Sequence, residues 1–260
     1  SLWSARVLAE QPELVRRVHL DYFRAGADCG ITDSYQATIP GLIARGYGEK
    51  EAEQLIRLSV RLFRQARSQW WEEEGAHSGR IYPLCLGAVG PYGAYLADGS
   101  EYRGHYGVSE ETLYTFHQRR MQLLWEEGAD LLLIETQPSL AEALIEARIA
   151  EEMAADYWVS FTCKNESHTC AGDLLIDCAR TLAKDHPHLR MIGINCTAPH
   201  LVEPLIAELK KGCDLPIAVY PNSGEHYDPR TKCWHGQSEE RSFAGYAGIW
   251  MRAGAKAVGG

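Results

Sequence analysis

Two residues stand out as able to do chemistry, a carboxylate and a thiol, each closing an apolar run. Glu135 follows Leu131–Ile134, where burial is expected to be deep. A buried carboxylate without a partner is costly, so this one calls for a cation. The cation is either a basic side chain on a neighbouring strand or a bound group such as an α-amine. Cys196 closes the run from Met191, directly after Asn195. A thiolate is both a nucleophile and a metal ligand, yet a lone cysteine is more often structural. Zinc takes about three or four ligands; the other strand-associated cysteines, Cys29 and Cys163, fall inside their runs. A third feature is the Gly-rich stretch Pro91–Gly104, which carries Tyr92, Tyr95, Asp98, Glu101 and Tyr102. Carboxylates and ring faces together suit a cation; a solvated lid is the alternative. His226, Trp234 and His235 are ambiguous. No GxSxG elbow supports a serine triad.

These residues need elements to position them. Strand-length apolar runs recur at Cys29–Ser34, Pro83–Val89, Leu131–Thr136, Tyr157–Thr162, Met191–Cys196, Pro216–Tyr220 and Lys256–Val258. Most are continuously apolar, which suits strands covered on both faces of a parallel sheet. Helical segments lie between them. Leu14, Val18 and Tyr22 form a stripe after Pro12, and Ile56, Val60 and Phe63 form another within Glu49–Glu74. Ser109 is placed to cap a helix, and Ser139 with Glu142 reads as a capping box. Further helices fit Asp173–Lys184, Pro199–Lys211 and Glu239–Arg252. Ala25-Gly-Ala-Asp28, Glu127-Gly-Ala-Asp130 and Ala253-Gly-Ala-Lys256 each stand between a helix and a strand, where the glycine can take the left-handed conformation that ends a helix.

Strands alternating with helices leave an open doubly wound sheet or a (β/α)8 barrel. No GxGxxG or P-loop follows a strand, which weighs against the nucleotide-binding open sheets. The expectation is therefore an α/β TIM barrel forming one domain over residues 1–260, without its first strand and last helix. Barrel enzymes carry their chemistry at strand C-termini, where Glu135 and Cys196 stand.

The 260 residues are 45% hydrophobic and 23% charged, with a net charge of -9. That charge argues against nucleic acid or an anionic membrane as the main partner, and no apolar run approaches a membrane span. The eight cysteines (Cys29, Cys85, Cys163, Cys170, Cys178, Cys196, Cys213 and Cys233) form no CxxC pair and read as reduced thiols of a cytoplasmic protein.

The segments Ser34-Tyr-Gln-Ala-Thr38, Gly90–Gly104, Glu135-Thr136, Gly193-Ile-Asn-Cys196, Tyr220-Pro-Asn-Ser-Gly-Glu-His-Tyr227 and Gly259-Gly260 resemble the homocysteine S-methyltransferases. The likeness is to the single-domain branch that uses S-methylmethionine, and it extends over essentially the whole chain. The resemblance implies a catalytic zinc held by three thiolates. Cys196 matches the first, and the other two are expected as an adjacent pair just beyond Gly260. It implies methyl transfer from S-methylmethionine, or S-adenosylmethionine, to homocysteine, giving methionine. It assigns Glu135 to the homocysteine amine, and Thr32, Ser34, Asn222 and Ser223 to its polar end. Tyr92, Asp98 and Glu101 fall on the donor side. Expected partners are these small molecules only, with the chain a monomer or small homo-oligomer. Betaine- and cobalamin-linked relatives are rivals within the family; a non-catalytic fragment or binding barrel is the reading from another class. One departure is Ala171-Gly-Asp173 after the fifth strand, where the family often has an Asp-Gly step.

Overall fold

The computed structural model describes residues 4–223, 226–228, 233–235 and 243–259. In chain order the elements are α1 (Ser4–Glu10), α2 (Pro12–Ala25), β1 (Cys29–Ile31), α3 (Ile39–Ile43), α4 (Glu49–Glu73), β2 (Leu84–Val89), α5 (Tyr92–Leu96), α6 (Glu110–Glu126), β3 (Leu131–Gln137) and α7 (Leu140–Glu152). There follow β4 (Tyr157–Phe161), α8 (Leu175–Lys184), β5 (Leu189–Asn195), α9 (Pro199–Gly212), β6 (Ile217–Tyr220), β7 (His226–Asp228), β8 (Cys233–His235), α10 (Phe243–Ala253) and β9 (Ala255–Val258). Each of the seven expected strands is present. They lie in one sheet in the order β1-β2-β3-β4-β5-β6-β9, and the β7–β8 pair is separate. Strands hydrogen-bonded in chain order, with helices between, are the pattern of a (β/α) barrel rather than of a doubly wound sheet, whose order reverses. The antiparallel β7–β8 pairing, and with it His226, Trp234 and His235, went unforeseen; their side chains lie outside the described residues. Among the described residues no helix is long and apolar enough to cross a membrane.

The chain divides into two compact units, Ser1–Gly90 with Tyr114–Leu133, and Pro91–Leu113 with Ile134–Gly260. In the first, α2 packs on α4 through a ladder of rings. His19 and Phe23 both meet Phe63 edge-on, at 5.0 and 5.2 Å, and Phe23 lies 6.0 Å from Trp70. Ile56, Val60 and Phe63 are fully buried, as their spacing predicts. Burying each contributes roughly 1.5–3 kcal/mol. A Cβ on Gly30 would lie 2.6 Å from the Phe63 ring, so glycine in β1 is what lets that ring seat against the strand.

The α2 stripe is a correction. Leu14, Val18 and Tyr22 are exposed, at 37%, 43% and 61%, while Val15, His19, Leu20 and Phe23 are buried. The helix carries two i, i+4 rows one residue apart, and period alone cannot choose between them. The rings on α4 decide it. Ile31 of β1 is 40% exposed because this strand, at one end of the sheet order, has a partner on one side only. The Gly-Ala turns behave as expected: Gly26, Gly128 and Gly254 have φ of 118°, 96° and 127°.

In the second unit β4, β5, β6 and β9 pair in parallel, with Ser160 opposite Gly193, Gly193 opposite Ala218, and Ala218 opposite Ala257. Residues two apart share a face, so Trp158 and Ser160 lie on one face of β4. Asp173 explains the Ala171-Gly-Asp departure. Its carboxylate accepts the Leu140 N–H at the start of α7 (2.8 Å), and Ala171 N–H donates to Pro138 O (2.9 Å). The three residues bind the loop after β4 to the entry of α7.

His19 is held neutral: burial lowers its pKa to about 4 from 6.5, and Nε2 has no partner. The unfolded chain takes up this proton first, so stability falls as pH drops from about 6.5 to about 4, by roughly 3 kcal/mol from this residue. His19→Leu is expected to remove that loss. Urea unfolding of both proteins at pH 7 and pH 4 measures it; a difference between them that does not change with pH would refute the assignment.

Candidate active site

Glu135 lies in β3, 6% exposed. Its carboxyl is pushed up to about 7 by burial, opposed only by the Tyr220 hydroxyl. Ionising it costs about 3 kcal/mol more than in water. The expected need for a cation therefore stands, and among the described residues no basic side chain contributes to the shift. The salt-bridge alternative finds no support in these surroundings. Tyr220, the last residue of β6, directs its hydroxyl toward Glu135 and Ser160 without completing a hydrogen bond in good geometry.

Cys196 follows β5 in a left-handed backbone, φ 47°. Thr136, in β3, is left-handed too, φ 58°, which for a β-branched residue is strained. Asn195 holds the pair together. Its Oδ1 accepts from Thr136 N–H (2.9 Å) and its Nδ2 donates to Thr136 Oγ1 (2.7 Å) and to Cys196 Sγ (3.4 Å). Thr136 Oγ1 is 3.8 Å from the same sulfur. Strain of this kind costs on the order of 1–3 kcal/mol per residue and clusters at functional sites. Burial and the nearby Glu135 push the Cys196 thiol up to about 11; Thr136, Tyr102 and Asn195 oppose the rise through hydrogen bonds. The sulfur is thus a thiol at neutral pH unless a cation joins it.

The loop that follows β2 is pinned by one acid that the spacing predicted only as a cap. Glu142, 1% exposed, accepts the Tyr92 N–H (2.6 Å) on one oxygen and the Tyr106 hydroxyl (2.8 Å) on the other. The Tyr92 ring packs on Tyr95 and Tyr106 at 5.6 and 5.4 Å. Asp98 is exposed and takes both the N–H and the hydroxyl of Ser100, with Arg103 beside it, so it orders the turn. Glu101 differs. Its Oε2 is buried without a hydrogen bond, and burial raises its pKa. Of the two loop acids, Glu101 is the one with unspent capacity for a ligand. Gly93 makes this path possible, since a Cβ there would lie 2.4 Å from the Glu101 nitrogen.

Thr32 and Ser34 lie in the first unit and are spent on the sheet. Thr32 Oγ1 accepts from Ala88 N–H (3.0 Å) and meets Ser34 Oγ at 2.7 Å, while Ser34 donates to Ala88 O (2.8 Å). Both are buried, and their hydroxyls continue the β1–β2 ladder where β1 itself has ended. Asn222 is half-buried, its N–H bonded to Thr197 O at 3.0 Å; Ser223 is exposed. Tyr102 was marked with the loop, and Thr136, Asn195 and Tyr220 only as members of the family segments; residue type and spacing did not single out Trp158 or Ser160. The available signal was period two: Ser160 is a polar residue in the middle of an apolar run, two from Trp158. Among the described residues no group of three His, Cys, Asp or Glu side chains converges as a metal site.

A buried acid beside a strained thiol at the ends of parallel strands defines an α/β enzyme site, and comparison with known proteins gives it a family. A family model described as homocysteine S-methyltransferase matches residues 1–260. The chain is 49% identical over 261 residues to homocysteine S-methyltransferase YbgG of Bacillus subtilis, covering 100% of this chain and 82% of that protein. It is 47% identical over 263 residues to the Escherichia coli homocysteine S-methyltransferase, covering 100% and 83%. The crystal structure of the E. coli homocysteine methyltransferase MmuM in its metallated form superposes with a TM-score of 0.87 at 43% identity, covering 100% of this chain and 83% of that one. The chain belongs to the homocysteine S-methyltransferase family, and the resemblance and fold class read from its residues are borne out.

Asn195→Ala is expected to destabilise the protein by about 2–3 kcal/mol, because it leaves the buried Thr136 N–H unpaired and the two left-handed residues unsupported. Chemical denaturation reads this directly; a loss below about 0.5 kcal/mol, the level of an ordinary surface change, would show the latch to be idle.

Proposed function

We propose that this chain transfers a methyl group from a sulfonium donor, S-methylmethionine or S-adenosylmethionine, to the sulfur of homocysteine, giving methionine. The observation that supports this best is the pairing of a cation-seeking acid, Glu135, with a thiol that only a cation will ionise, Cys196. In the reaction the donor's S–CH3 bond breaks and a new S–CH3 bond forms on homocysteine. The donor leaves as a neutral thioether and the thiol proton is released. The carbon is transferred without protonation, so the protein's task is to orient two substrates in line.

Glu135 holds the homocysteine amine, and the ammonium supplies the positive charge that the described residues do not bring to the carboxylate. Asn222 and Ser223 continue the strand-end rim beside it. Tyr92 and Glu101 shape the donor side. Glu101 offers the buried oxygen, Tyr92 supplies a ring held by Glu142, and Asp98 keeps the turn in place.

One relative was solved in a metallated form. The described residues fit such an ion in part. Cys196 is a soft donor at a strand end, and its thiol calls for a cation, but among the described residues no group of three His, Cys, Asp or Glu side chains forms a complete site. We infer that the ion is zinc, with Cys196 as one ligand and the two further cysteines implied by the family resemblance outside the described residues. A zinc ion bound there would make a coordinated thiol ionise at neutral pH.

Two outcomes are expected. Methionine forms from homocysteine and S-methylmethionine in the presence of zinc, and Cys196→Ser abolishes both the turnover and the zinc content found by elemental analysis. Full zinc retention by that variant would remove Cys196 from the metal site. Glu135→Gln is expected to weaken homocysteine more than tenfold, about 1.4 kcal/mol or more; unchanged affinity by calorimetry would remove the anchor.

A further inference from the structure

The Tyr102 hydroxyl reaches the Cys196 sulfur from the loop that follows β2. The path of that loop explains how. Asp98 and Arg103 order the turn around Ser100, and Gly104 N–H closes it on Ser100 O at 2.9 Å. Gly104 is buried and left-handed, φ 67°, and a Cβ on it would lie 3.1 Å from the Ala171 Cβ, so glycine lets the chain pass close to the loop after β4. His105 Nε2 meets Ala171 O at 3.2 Å. The residue before Ala171 completes the link. Cys170 N–H donates to Thr162 O (3.0 Å), and Thr162 Oγ1 donates to Cys196 O (3.1 Å). The loop and the Cys196 backbone are thus fastened to the same short segment, and Tyr102 stands two residues before the fastening point.

The phenol keeps its proton there. Burial, and then the neighbouring Cys196 and Glu101, hold it well above its ordinary range. It therefore acts as a donor toward the sulfur, whether that sulfur is a thiol or a thiolate. Asn195 Nδ2 (3.4 Å) and Thr136 Oγ1 (3.8 Å) approach the same atom from β5 and β3. Those two belong to the sheet, whereas Tyr102 belongs to the loop on the donor side. A tyrosine that only packs needs no hydroxyl at a thiol, and a solvated lid leaves its phenol in water. Groups that hydrogen-bond an atom able to bind a metal typically change affinity or activity about 10–100-fold.

We propose that Tyr102 is a positioning residue for methyl transfer: its hydroxyl hydrogen-bonds to the Cys196 sulfur and so sets the donor-side loop in register with the thiol end of the site. The inference rests on the methyl-transfer reading and on Cys196 as a site thiol. It deepens that reading by making the two sides interdependent. The loop takes its place over the donor only where the sulfur is in position, and the sulfur keeps one lone pair engaged only where the loop is closed. Tyr102 acts through Cys196, by orienting that atom and drawing on its electrons, and it transfers no proton.

A double-mutant cycle in the metal-free protein tests the contact. Tyr102→Phe removes only the hydroxyl. It is expected to raise the urea unfolding constant about fivefold in the parent and less than about twofold beside Cys196→Ala, the non-additivity of groups that touch. Equal effects in both backgrounds, or none in the parent, would overturn the proposal. A second measurement needs no Cys196 variant. With cobalt(II) bound in place of zinc, the sulfur-to-metal charge-transfer band of Tyr102→Phe is expected at longer wavelength, because losing a hydrogen bond raises the sulfur lone pairs in energy. An unmoved band in a variant that binds cobalt overturns the proposal as well. In turnover with S-methylmethionine, Tyr102→Phe is expected to lower kcat about tenfold and to leave the KM for homocysteine within about twofold, the split of a group that aligns rather than binds. A raised KM with kcat unchanged makes Tyr102 a binding residue instead. A parent that forms no methionine strikes the methyl-transfer reading alone; the cycle still decides whether Tyr102 positions Cys196.

Discussion

A carboxylate buried in a parallel sheet, with no basic side chain among the described residues to balance it, is the constraint on which the rest of the second unit turns. Glu135 is 6% exposed and has only a tyrosine hydroxyl directed at it. Water is largely excluded and the described residues offer no countercharge, so the carboxyl stays partly neutral and gains most from a cation beside it. The same low dielectric that makes the free acid costly strengthens its grip on a bound ammonium. The cost is met by the surrounding strands, which are fully apolar on the other face: Leu132, Ile134, Val159, Ile192 and Val219 are all buried.

Around that acid the protein spends its polar side chains on shape. Asn195 ties together two left-handed residues that an ordinary strand end would not tolerate, and Cys196 is one of them. Glu142 uses both carboxylate oxygens to hold the loop carrying Tyr92 and Tyr106. Asp98 and Asp173 fix turns. Most acids near the strand ends are therefore accounted for by backbone and hydroxyl partners. Glu135 and Glu101 are the ones whose environment leaves capacity for a ligand, which separates binding groups from supports more sharply than residue type does.

Much of this was legible from residues alone. The seven apolar runs mark the seven sheet strands to within three residues at each end, because a strand covered on both faces has few polar positions to hide its limits. The Gly-Ala turns were legible because a left-handed helix end excludes most side chains. The α2 stripe was misread because Leu14, Val18 and Tyr22 and the row Val15, His19 and Phe23 are equally periodic; only the rings of Phe63 and Trp70 break the tie. Thr32 and Ser34 stand at a strand end as binding groups should, yet their hydroxyls extend a ladder. Position marked them, and only the structure shows the hydrogen bonds they make within the sheet.

What the amino-acid sequence determined by itself was the order of elements, the strand-end placement of Glu135 and Cys196, and the family. These depend on local preference and on which residue follows which. What only the tertiary structure decided was the state of each group: that Glu135 faces a tyrosine hydroxyl and no basic side chain among the described residues, that Cys196 is strained and held as a thiol, and that Asn195 latches it to Thr136. Ionisation and hydrogen-bond satisfaction are set by neighbours brought from different strands, and residues as far apart in the chain as Glu135 and Tyr220 carry no mutual signal until the sheet aligns them.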